Sequence, residues 1–285
     1  MQSANGDRDR LSPVSEVPDL SPSEQAAVGE QSRPSAALIH ETIRAEGESE
    51  LERTWFALTM SGIAAGLSMG FSLVVEGLLQ SRLPDAPWRE LVSKLGYTAG
   101  FLIVVLGRQQ LFTENTLTPI LPLLHNRDAG TLLRVIRLWA LVLAANIGAT
   151  WLMSAVLAHG GVFDGAVKDA FADIAAHSIA AGFGTTMMKG VFAGWLIALM
   201  VWLLPSADSM RVVVIIIITY IVGLGSLAHI IAGSIDASYL VHIGRAGVGD
   251  YMWRFFLPTL LGNMIGGVAL VAVLNYGQVA PELRA

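Results

Sequence analysis

The stretch Val222-Gly223-Leu224-Gly225-Ser226-Leu227-Ala228-His229-Ile230-Ile231-Ala232-Gly233-Ser234 decides the fold, because it interrupts a long apolar segment with glycines and a histidine. Residues 212–218, which precede it, are all branched aliphatics, as a lipid-facing helix requires. The glycines in this stretch weaken a helix by about 1 kcal/mol each. A titratable ring inside an apolar span is costly, so His229 is a candidate functional residue.

A second interruption lies in the first half of the chain. It reads Gly107-Arg108-Gln109-Gln110-Leu111-Phe112-Thr113-Glu114-Asn115-Thr116-Leu117 and follows another apolar run. Interrupted hydrophobic segments at corresponding places in two halves of a membrane protein are typical of a transport site. The two interruptions are therefore expected to meet near the middle of the membrane.

Composition places the chain among polytopic membrane proteins. Of its 285 residues, 53% are hydrophobic and 14% are charged, whereas soluble domains carry about 25% charged residues. The net charge of −5 and the absence of a basic patch argue against a nucleic-acid partner. There is no cysteine, which excludes a disulfide framework, and no pattern indicates a metal site or a cofactor.

The chain divides into four predicted parts. Residues 1–34 are rich in Ser, Pro and acidic residues and are predicted to form a disordered tail. Residues 35–53 are predicted to form a lead-in helix, either amphipathic on the membrane surface or simply solvated. Residues 54–275 would hold the transport domain, and residues 276–285 a short polar tail.

The sequence predicts an all-α membrane protein with six transmembrane helices, the second and fifth of them broken. A helix needs about 20 apolar residues to cross the bilayer core. The predicted spans cover residues 54–79, 91–124, 132–158, 174–204, a fifth that begins at Val212 and is split around His229, and 252–274. Residues 160–173 are predicted to form a loop, and Glu76 and Asp236 are expected near span ends, in water.

Glycine spacing predicts close helix packing in two of these spans. Gly62, Gly66 and Gly70 recur every fourth residue in the first span, and Gly262 and Gly266 do so in the sixth. Each half has three spans with the middle one broken, which suggests an inverted repeat. Basic residues balance between the two sets of loops; the lack of a signal peptide and the charged N-terminal tail favour cytoplasmic termini.

Three stretches together resemble the formate/nitrite transporter family. They are Leu111-Phe112-Thr113 after the first break, Ala228-His229-Ile230-Ile231-Ala232 in the second, and Leu257-Pro258-Thr259-Leu260-Leu261-Gly262-Asn263-Met264-Ile265-Gly266-Gly267 in the sixth span. The shared plan covers about residues 54–274. The resemblance implies an aquaporin-like six-span protomer in a homopentamer, with one pore per protomer, in the inner (plasma) membrane of a bacterium. It further implies passage of small monovalent anions such as formate or nitrite, often with a proton.

The resemblance also implies roles for individual residues. His229 would be the central histidine, Thr113 the loop threonine beside it and Asn263 an asparagine near the pore. Leu111 and Phe112 would form one hydrophobic constriction. Phe101 and Tyr97 match the positions of apolar residues at the other, and Val222 stands where the family often has a bulky aromatic residue, which would make that constriction wider.

Three charged residues stand in unusual places. Family members carry a lysine before the fourth span, but His177-Ser178-Ile179 has none. Arg108 and Glu114 are expected to form a charge pair that holds the first break, since unpaired charges are costly in a membrane. The alternative is that Arg108 or Lys189 supplies the positive charge that attracts an anion.

The resulting functional hypothesis is transport of small anions or their neutral acids, coupled to protons through His229. The alternatives are a channel for water or small neutral solutes and a structural membrane protein with a sealed pore. An intramembrane enzyme is not expected, because the chain contains no His-Glu-x-x-His and no Gly-x-Ser-x-Gly motif.

Overall fold

The computed structural model describes Ser21 and residues 34–279, and all regular structure in that part of the chain is helical. This confirms the all-α prediction. The helices are α1 (Ala36–Glu52), α2 (Trp55–Arg82), α3 (Arg89–Ser93), α4 (Thr98–Leu106), α5 (Ile120–Asn126), α6 (Ala129–His159), α7 (Gly165–Ala176), α8 (Phe183–Leu203), α9 (Arg211–Leu224), α10 (Ala232–His242) and α11 (Val248–Val279). The predicted tail lies outside the described residues except at Ser21 and Pro34, as do residues 280–285.

In the described part of the chain, four helices are long and apolar enough to cross a membrane: α2, α6, α8 and α11. α11 runs on to Val279, past the predicted start of the C-terminal tail at residue 276. It contains two stretches with the wider winding of a π-helix, Tyr251–Phe256 and Ile265–Val273. Between the four long helices lie the shorter helices of the two interrupted segments.

Helix α1 lies against the first interrupted segment. Ser35 caps its first turn, since the Ser35 hydroxyl accepts a hydrogen bond from the Leu38 N–H at 3.2 Å. Its buried face includes Ile43 and Gly47. A Cβ at Gly47 would collide with the backbone carbonyl of Thr118, so glycine is required for this close approach.

The two interrupted segments stop their first helices in the same way. α4 ends at Leu106 and α9 at Leu224, and each is followed by a glycine and then by a residue with a left-handed backbone. These left-handed residues are Arg108, with φ 50°, and Ser226, with φ 45°. In each case the next N–H bonds to the carbonyl five residues back at 3.0 Å, which closes the helix end.

One asparagine from a neighbouring long helix holds each break. Asn146 of α6 accepts from the Phe112 N–H at 2.9 Å and donates to the carbonyls of Gly62 and Gln110 at 2.8 and 3.0 Å. A non-helical backbone at membrane depth must find hydrogen bonds within the protein. Asn146 therefore replaces bonds that the interrupted helix cannot make.

Asn263 of α11 makes the corresponding contacts in the second half. It accepts from the Ile230 N–H at 2.9 Å and donates to the carbonyls of Gly190 and Ala228, both at 2.8 Å. Gly66 and Gly194 make the same kind of approach, because a Cβ at either would collide with the backbone of the asparagine opposite. The same arrangement thus occurs twice in the chain.

The predicted loop at residues 160–173 and the predicted start of the fourth span at 174 are both wrong. Residues Gly165–Ala176 form α7, which begins where the Asp164 carboxylate accepts from the Val167 N–H at 3.0 Å. Phe171 of this helix is fully buried against Gly77 of α2. A short turn separates α7 from α8, which begins at Phe183.

Candidate transport site

The two breaks meet at His229 and Thr113. Nε2 of the His229 ring lies 2.8 Å from the Thr113 hydroxyl, although the residues are 116 positions apart in the chain. Both side chains are buried, with 1% of His229 and 0% of Thr113 exposed. The sequence reasoning placed these residues together, and in the structure they form one hydrogen-bonded pair.

The remaining contact of the ring determines which nitrogen carries the proton. The Ala232 N–H, at the start of α10, donates to Nδ1 of His229 at 3.1 Å. A backbone N–H can only donate, so Nδ1 is the unprotonated nitrogen of the neutral ring and Nε2 carries the proton. Nε2 therefore donates to Thr113, and within the described residues the hydroxyl proton of Thr113 has no acceptor. That proton is free to bind a ligand oxygen.

Aromatic and apolar side chains surround the pair. The Phe101 ring meets the His229 ring edge-on with their centroids 4.9 Å apart, and Tyr97 lies 5.4 Å from Phe101. Gly223 packs directly on the Tyr97 ring, and the adjacent Val222 is fully buried. These are the residues in which the sequence predicted one of the hydrophobic constrictions.

The other predicted constriction residues, Leu111 and Phe112, directly precede Thr113. Both side chains are buried, and the Phe112 ring meets Trp139 of α6 with the centroids 6.2 Å apart. Asn146 fixes the Phe112 backbone, so this segment is held rigidly next to the histidine pair. The predicted pathway residues of the two breaks therefore form one continuous region of the core.

Asn263 is close to the site but acts through the backbone. All three of its hydrogen bonds go to main-chain groups of Gly190, Ala228 and Ile230. Its side chain has 0% exposure. By bonding to the main chain of Ala228 and Ile230, the residues on either side of His229, Asn263 fixes the position of His229. These bonds use both donors and the acceptor of its carboxamide.

A cavity lies beside His229, and several charged side chains line its wall. Its walls include Tyr97, Val222 and His229 together with four charged residues, Glu76, Lys94, Lys189 and Asp236. We call this space the inner vestibule. Lys189, whose role the sequence left open, therefore lies in the wall of the cavity next to His229.

A second cavity adjoins the inner vestibule. It is lined by Arg89, Glu90 and Ser93, and it shares Lys94, Ile174 and His177 with the inner vestibule. We call it the outer vestibule. Lys94 and His177 therefore form the neck between the two spaces.

The neck contains a buried ion pair that the sequence reasoning missed. Lys94 donates to the Glu76 carboxylate at 2.6 Å, and only 1% of Glu76 is exposed. The expectation that Glu76 is solvated near a span end is wrong, since its side chain is buried in this ion pair, whereas Asp236 is half-buried in the wall of the inner vestibule. The sequence alone could not bring Glu76, Lys94 and Asp236 together, because they are far apart along the chain. Their proximity depends on how α2, α10 and the 3₁₀ turn at Lys94–Tyr97 pack.

The predicted pair of Arg108 with Glu114 is wrong. The left-handed backbone at Arg108 directs its side chain outward, where the guanidinium lies 3.1 Å from the Glu46 carboxylate of α1 and 80% of the side chain is exposed. Glu114 turns inward, and its buried Oε1 has no hydrogen-bond partner among the described residues. Neither residue lines the two vestibules described above.

Helix α1 also supplies a carboxylate to the first break. Glu50 accepts hydrogen bonds from the Gln110 amide at 3.0 Å and from the Thr118 hydroxyl at 2.6 Å. Burial raises the pKa of this carboxyl, and the two donors oppose that rise. The first break is thus covered on this side by α1.

Comparison with known proteins identifies the family. The sequence model of the family described as "Formate/nitrite transporter" matches residues 37–277. The chain is 41% identical to the inner membrane protein YfdC of Escherichia coli (strain K12) over 257 residues, which cover 90% of this chain and 83% of that protein. It is 26% identical to the formate channel BtFdhC of Bacillus thuringiensis, covering 82% of this chain and 91% of that one.

The chain belongs to the formate/nitrite transporter family. Its fold also resembles a solved pentameric formate channel with formate bound, with a TM-score of 0.66 and 19% identity over 79% of this chain and 98% of that one. The predicted family is therefore confirmed. Members of this family are channels and transporters, so the chain is a membrane transport protein rather than an enzyme.

Proposed function

We propose that the chain carries small monovalent anions of the formate type across the membrane, each with a proton, through His229 and Thr113. The observation that carries the proposal is the buried Nε2–Thr113 contact beside a cavity that contains Lys189, an ammonium group with no partner among the described residues. The names of the relatives, a formate channel and a formate-bound channel, support the substrate class. We take the plasma membrane of a bacterium as its location, with cytoplasmic termini.

The proposed architecture has six spans. Four are the long helices α2, α6, α8 and α11, and the other two are the broken pairs α4–α5 and α9–α10. Each half has the same kind of helix end at its break, one asparagine that holds the break, and one glycine packed against that asparagine. This recurrence supports an aquaporin-like inverted repeat. Residues 54–275 form the transport domain in this proposal, with α1 as the lead-in helix. Assembly as a homopentamer follows the similarity to the pentameric channel.

The proposed path begins with attraction of an anion to Lys189 in the inner vestibule. The anion then meets the free hydroxyl proton of Thr113, which His229 orients from Nε2. An imidazolium would have to give up the bond between Nδ1 and the Ala232 N–H, and its burial is costly without a counter-charge. An anion at Thr113 offsets that cost, so a proton and an anion favour each other in the site.

The constrictions complete the proposed mechanism. Phe101, Leu111 and Phe112 place apolar surface on the path, which an ion crosses only at a large desolvation cost. A neutral acid crosses the same surface at a lower cost. The proposed species at the constrictions is therefore the protonated acid, and on each side it separates again into anion and proton.

The test compares native protein with His229→Phe in proteoliposomes that take up labelled formate. The variant keeps a planar ring and loses both nitrogens, including the Nε2 that orients Thr113. Uptake should fall about tenfold or more, because a loss of about 1.4 kcal/mol in stabilisation of the passing anion is already a factor of ten. Raising the external pH should slow the native protein, because fewer protons accompany the anion. His125→Phe makes the same change at an exposed position and should leave uptake unchanged.

Mass measurement in detergent should show five copies for all three proteins, which separates loss of function from loss of assembly. Equal uptake by native and His229→Phe protein, with no dependence on pH, would falsify the proton-coupled proposal. Flux of water or neutral solutes without anions would support a neutral-solute channel instead. Absence of every flux would support a sealed structural protein.

A further inference from the structure

The inner vestibule contains one carboxylate and one ammonium group that have no partner in the part of the chain that the structure describes. Asp236 of α10 and Lys189 of α8 both line the cavity beside His229. Among the described residues, neither side chain takes part in an ion pair or a hydrogen bond. Glu76 and Lys94 line the same cavity, but they are paired with each other at 2.6 Å.

The charges of this cavity balance when every group but histidine is ionised. Lys94 and Lys189 contribute two positive charges, and Glu76 and Asp236 contribute two negative charges. One proton bound to a carboxylate therefore changes the cavity from neutral to a net charge of +1. The titratable and charged groups that face the cavity with Asp236 are Glu76, Lys94, Tyr97, His177, Lys189 and His229.

The two carboxylates differ in what a proton would cost. Protonation of Glu76 weakens its ion pair and leaves the Lys94 ammonium, which is mostly buried, without its counter-charge. Protonation of Asp236 breaks no contact among the described residues. Other titratable groups on the helices around α10 are engaged elsewhere: the Lys168 ammonium donates to the Ala158 carbonyl and the Tyr251 hydroxyl bonds to Ser234.

We propose that Asp236 is a second proton-binding site of the pathway, and that its proton decides whether the inner vestibule attracts an anion. The inference rests on the proposed anion transport. With Asp236 ionised the cavity is neutral and holds an anion weakly beside Lys189. With Asp236 protonated the cavity is cationic, and an anion bound there in turn favours the proton, because coupling between two binding sites is reciprocal.

Only a proton moves in this step. It binds to an Asp236 carboxylate oxygen from the vestibule water and returns to that water when the anion leaves the cavity. His229 and Thr113 then act on an anion that Asp236 and Lys189 have already admitted. The two sites therefore affect uptake in different ways: His229 is needed for every anion that passes with its proton, and Asp236 determines how strongly the inner vestibule attracts an anion at a given pH.

The experiment uses Asp236→Asn, which has nearly the shape of protonated aspartic acid and cannot ionise. Initial rates of formate uptake into proteoliposomes are measured from mildly acidic to mildly alkaline external pH. The native rate should fall as the pH rises. The variant should fall less steeply, because the charge of its vestibule no longer changes with pH and only the supply of protons at His229 does; at alkaline pH it should exceed the native protein about fivefold or more, the lower end of typical coupling between sites.

Two controls keep the result interpretable. Asp169→Asn makes the same change at an exposed residue of α7 and should follow the native profile. Asp236→Glu retains a titratable group and should retain the dependence on pH. An Asp236→Asn profile identical to the native one would overturn the proposal, as would loss of uptake at every pH with the pentamer intact. Failure of the native protein to carry any anion would instead overturn the proposed function.

Discussion

The two breaks of the chain share a backbone plan and differ in their surroundings. Each begins with a glycine and a left-handed residue, and each is held by one buried asparagine with three hydrogen bonds to main-chain groups. The first break is covered by α1 through Glu50, whereas the second carries His229 and borders the inner vestibule. The shared part maintains the fold, and the part that differs carries the chemistry.

The shared residue is asparagine because of its hydrogen-bonding groups. Its carboxamide offers an acceptor and two donors on one short, rigid group. Each break presents one N–H and one carbonyl to the asparagine, and a carbonyl of a neighbouring long helix, Gly62 or Gly190, takes the second donor. Aspartate lacks the donors, and serine has only one. What repeats between the two halves is therefore one asparagine side chain that makes three hydrogen bonds to main-chain groups.

The largest expected effect is the loss of either asparagine. Asn146→Ala and Asn263→Ala each leave two buried backbone groups of a break without a partner, and one such group costs about 1–3 kcal/mol. We expect each variant to lose about 3 kcal/mol or more of stability, by similar amounts. The measurement is the midpoint of thermal unfolding of the purified protein in detergent, followed together with its oligomeric state.

Asn275→Ala is the matched control, because the amide nitrogen of Asn275 is buried without a hydrogen-bond partner among the described residues. Its removal leaves no group newly unsatisfied, so its midpoint should stay near that of the native protein. A much milder effect at Asn146 than at Asn263 would break the comparison. It would mean that the contacts from α1 hold the first break without its asparagine.

Much of this plan could be predicted from the sequence, because breaks in apolar segments and close glycine spacing are local signals. Gly107, His229 and the Gly62–Gly66 spacing are all visible without a structure. Asn146 was missed, although a single buried asparagine in each of the third and sixth spans is a signal that could have found it. The role of Asn146 can be recognised only when it is compared with Asn263 and with the glycines opposite each asparagine, Gly66 and Gly194.

The charged residues could not be placed in this way. The expected partner of Arg108 was the nearest acid along the break, Glu114, but the backbone conformation at Arg108 directs its side chain toward α1. The ion pair of Lys94 with Glu76 joins segments whose packing has no local sequence signal. Charge pairing in this protein is decided by tertiary contacts, whereas the breaks themselves are decided by local sequence.

A smaller effect is expected at the outer edge of the first break. A double-mutant cycle of Arg108→Ala with Glu46→Ala should give a coupling of about 0.2–1 kcal/mol, the usual range for an exposed pair. The same cycle with Glu114→Ala should give no coupling, because the two side chains point in different directions. Stability is measured by thermal unfolding at low ionic strength, where screening is weakest.

A large coupling of Arg108 with Glu114 would restore the pairing that the sequence predicted, and would mean that the break rearranges in detergent or lipid. High salt is the internal control for this cycle. It should abolish the coupling with Glu46, since exposed charges are screened.

The smallest expected effect is a dependence of α1 docking on pH. Burial raises the pKa of Glu50 above its ordinary value of 4.5. The docked helix therefore binds the Glu50 proton more tightly than the released helix does. Its stability falls as the pH rises from about the ordinary value through the raised pKa, and is highest below that window. Amide hydrogen exchange of α1, corrected for the intrinsic effect of pH, should accordingly become faster as the pH rises through the window.

Glu50→Gln should flatten this dependence, because the amide cannot ionise and its oxygen can still accept from Thr118 or Gln110. Glu52→Gln, an exposed acid on the same helix, should follow the native profile. If Glu50→Gln keeps the native dependence on pH, then α1 is held at the first break by its apolar face around Ile43 and Leu51 rather than through Glu50. In that case the docking of α1 on the first break would not depend on pH, just as the hydrogen bonds of Asn146 do not. The titratable groups that matter for function would then lie near His229.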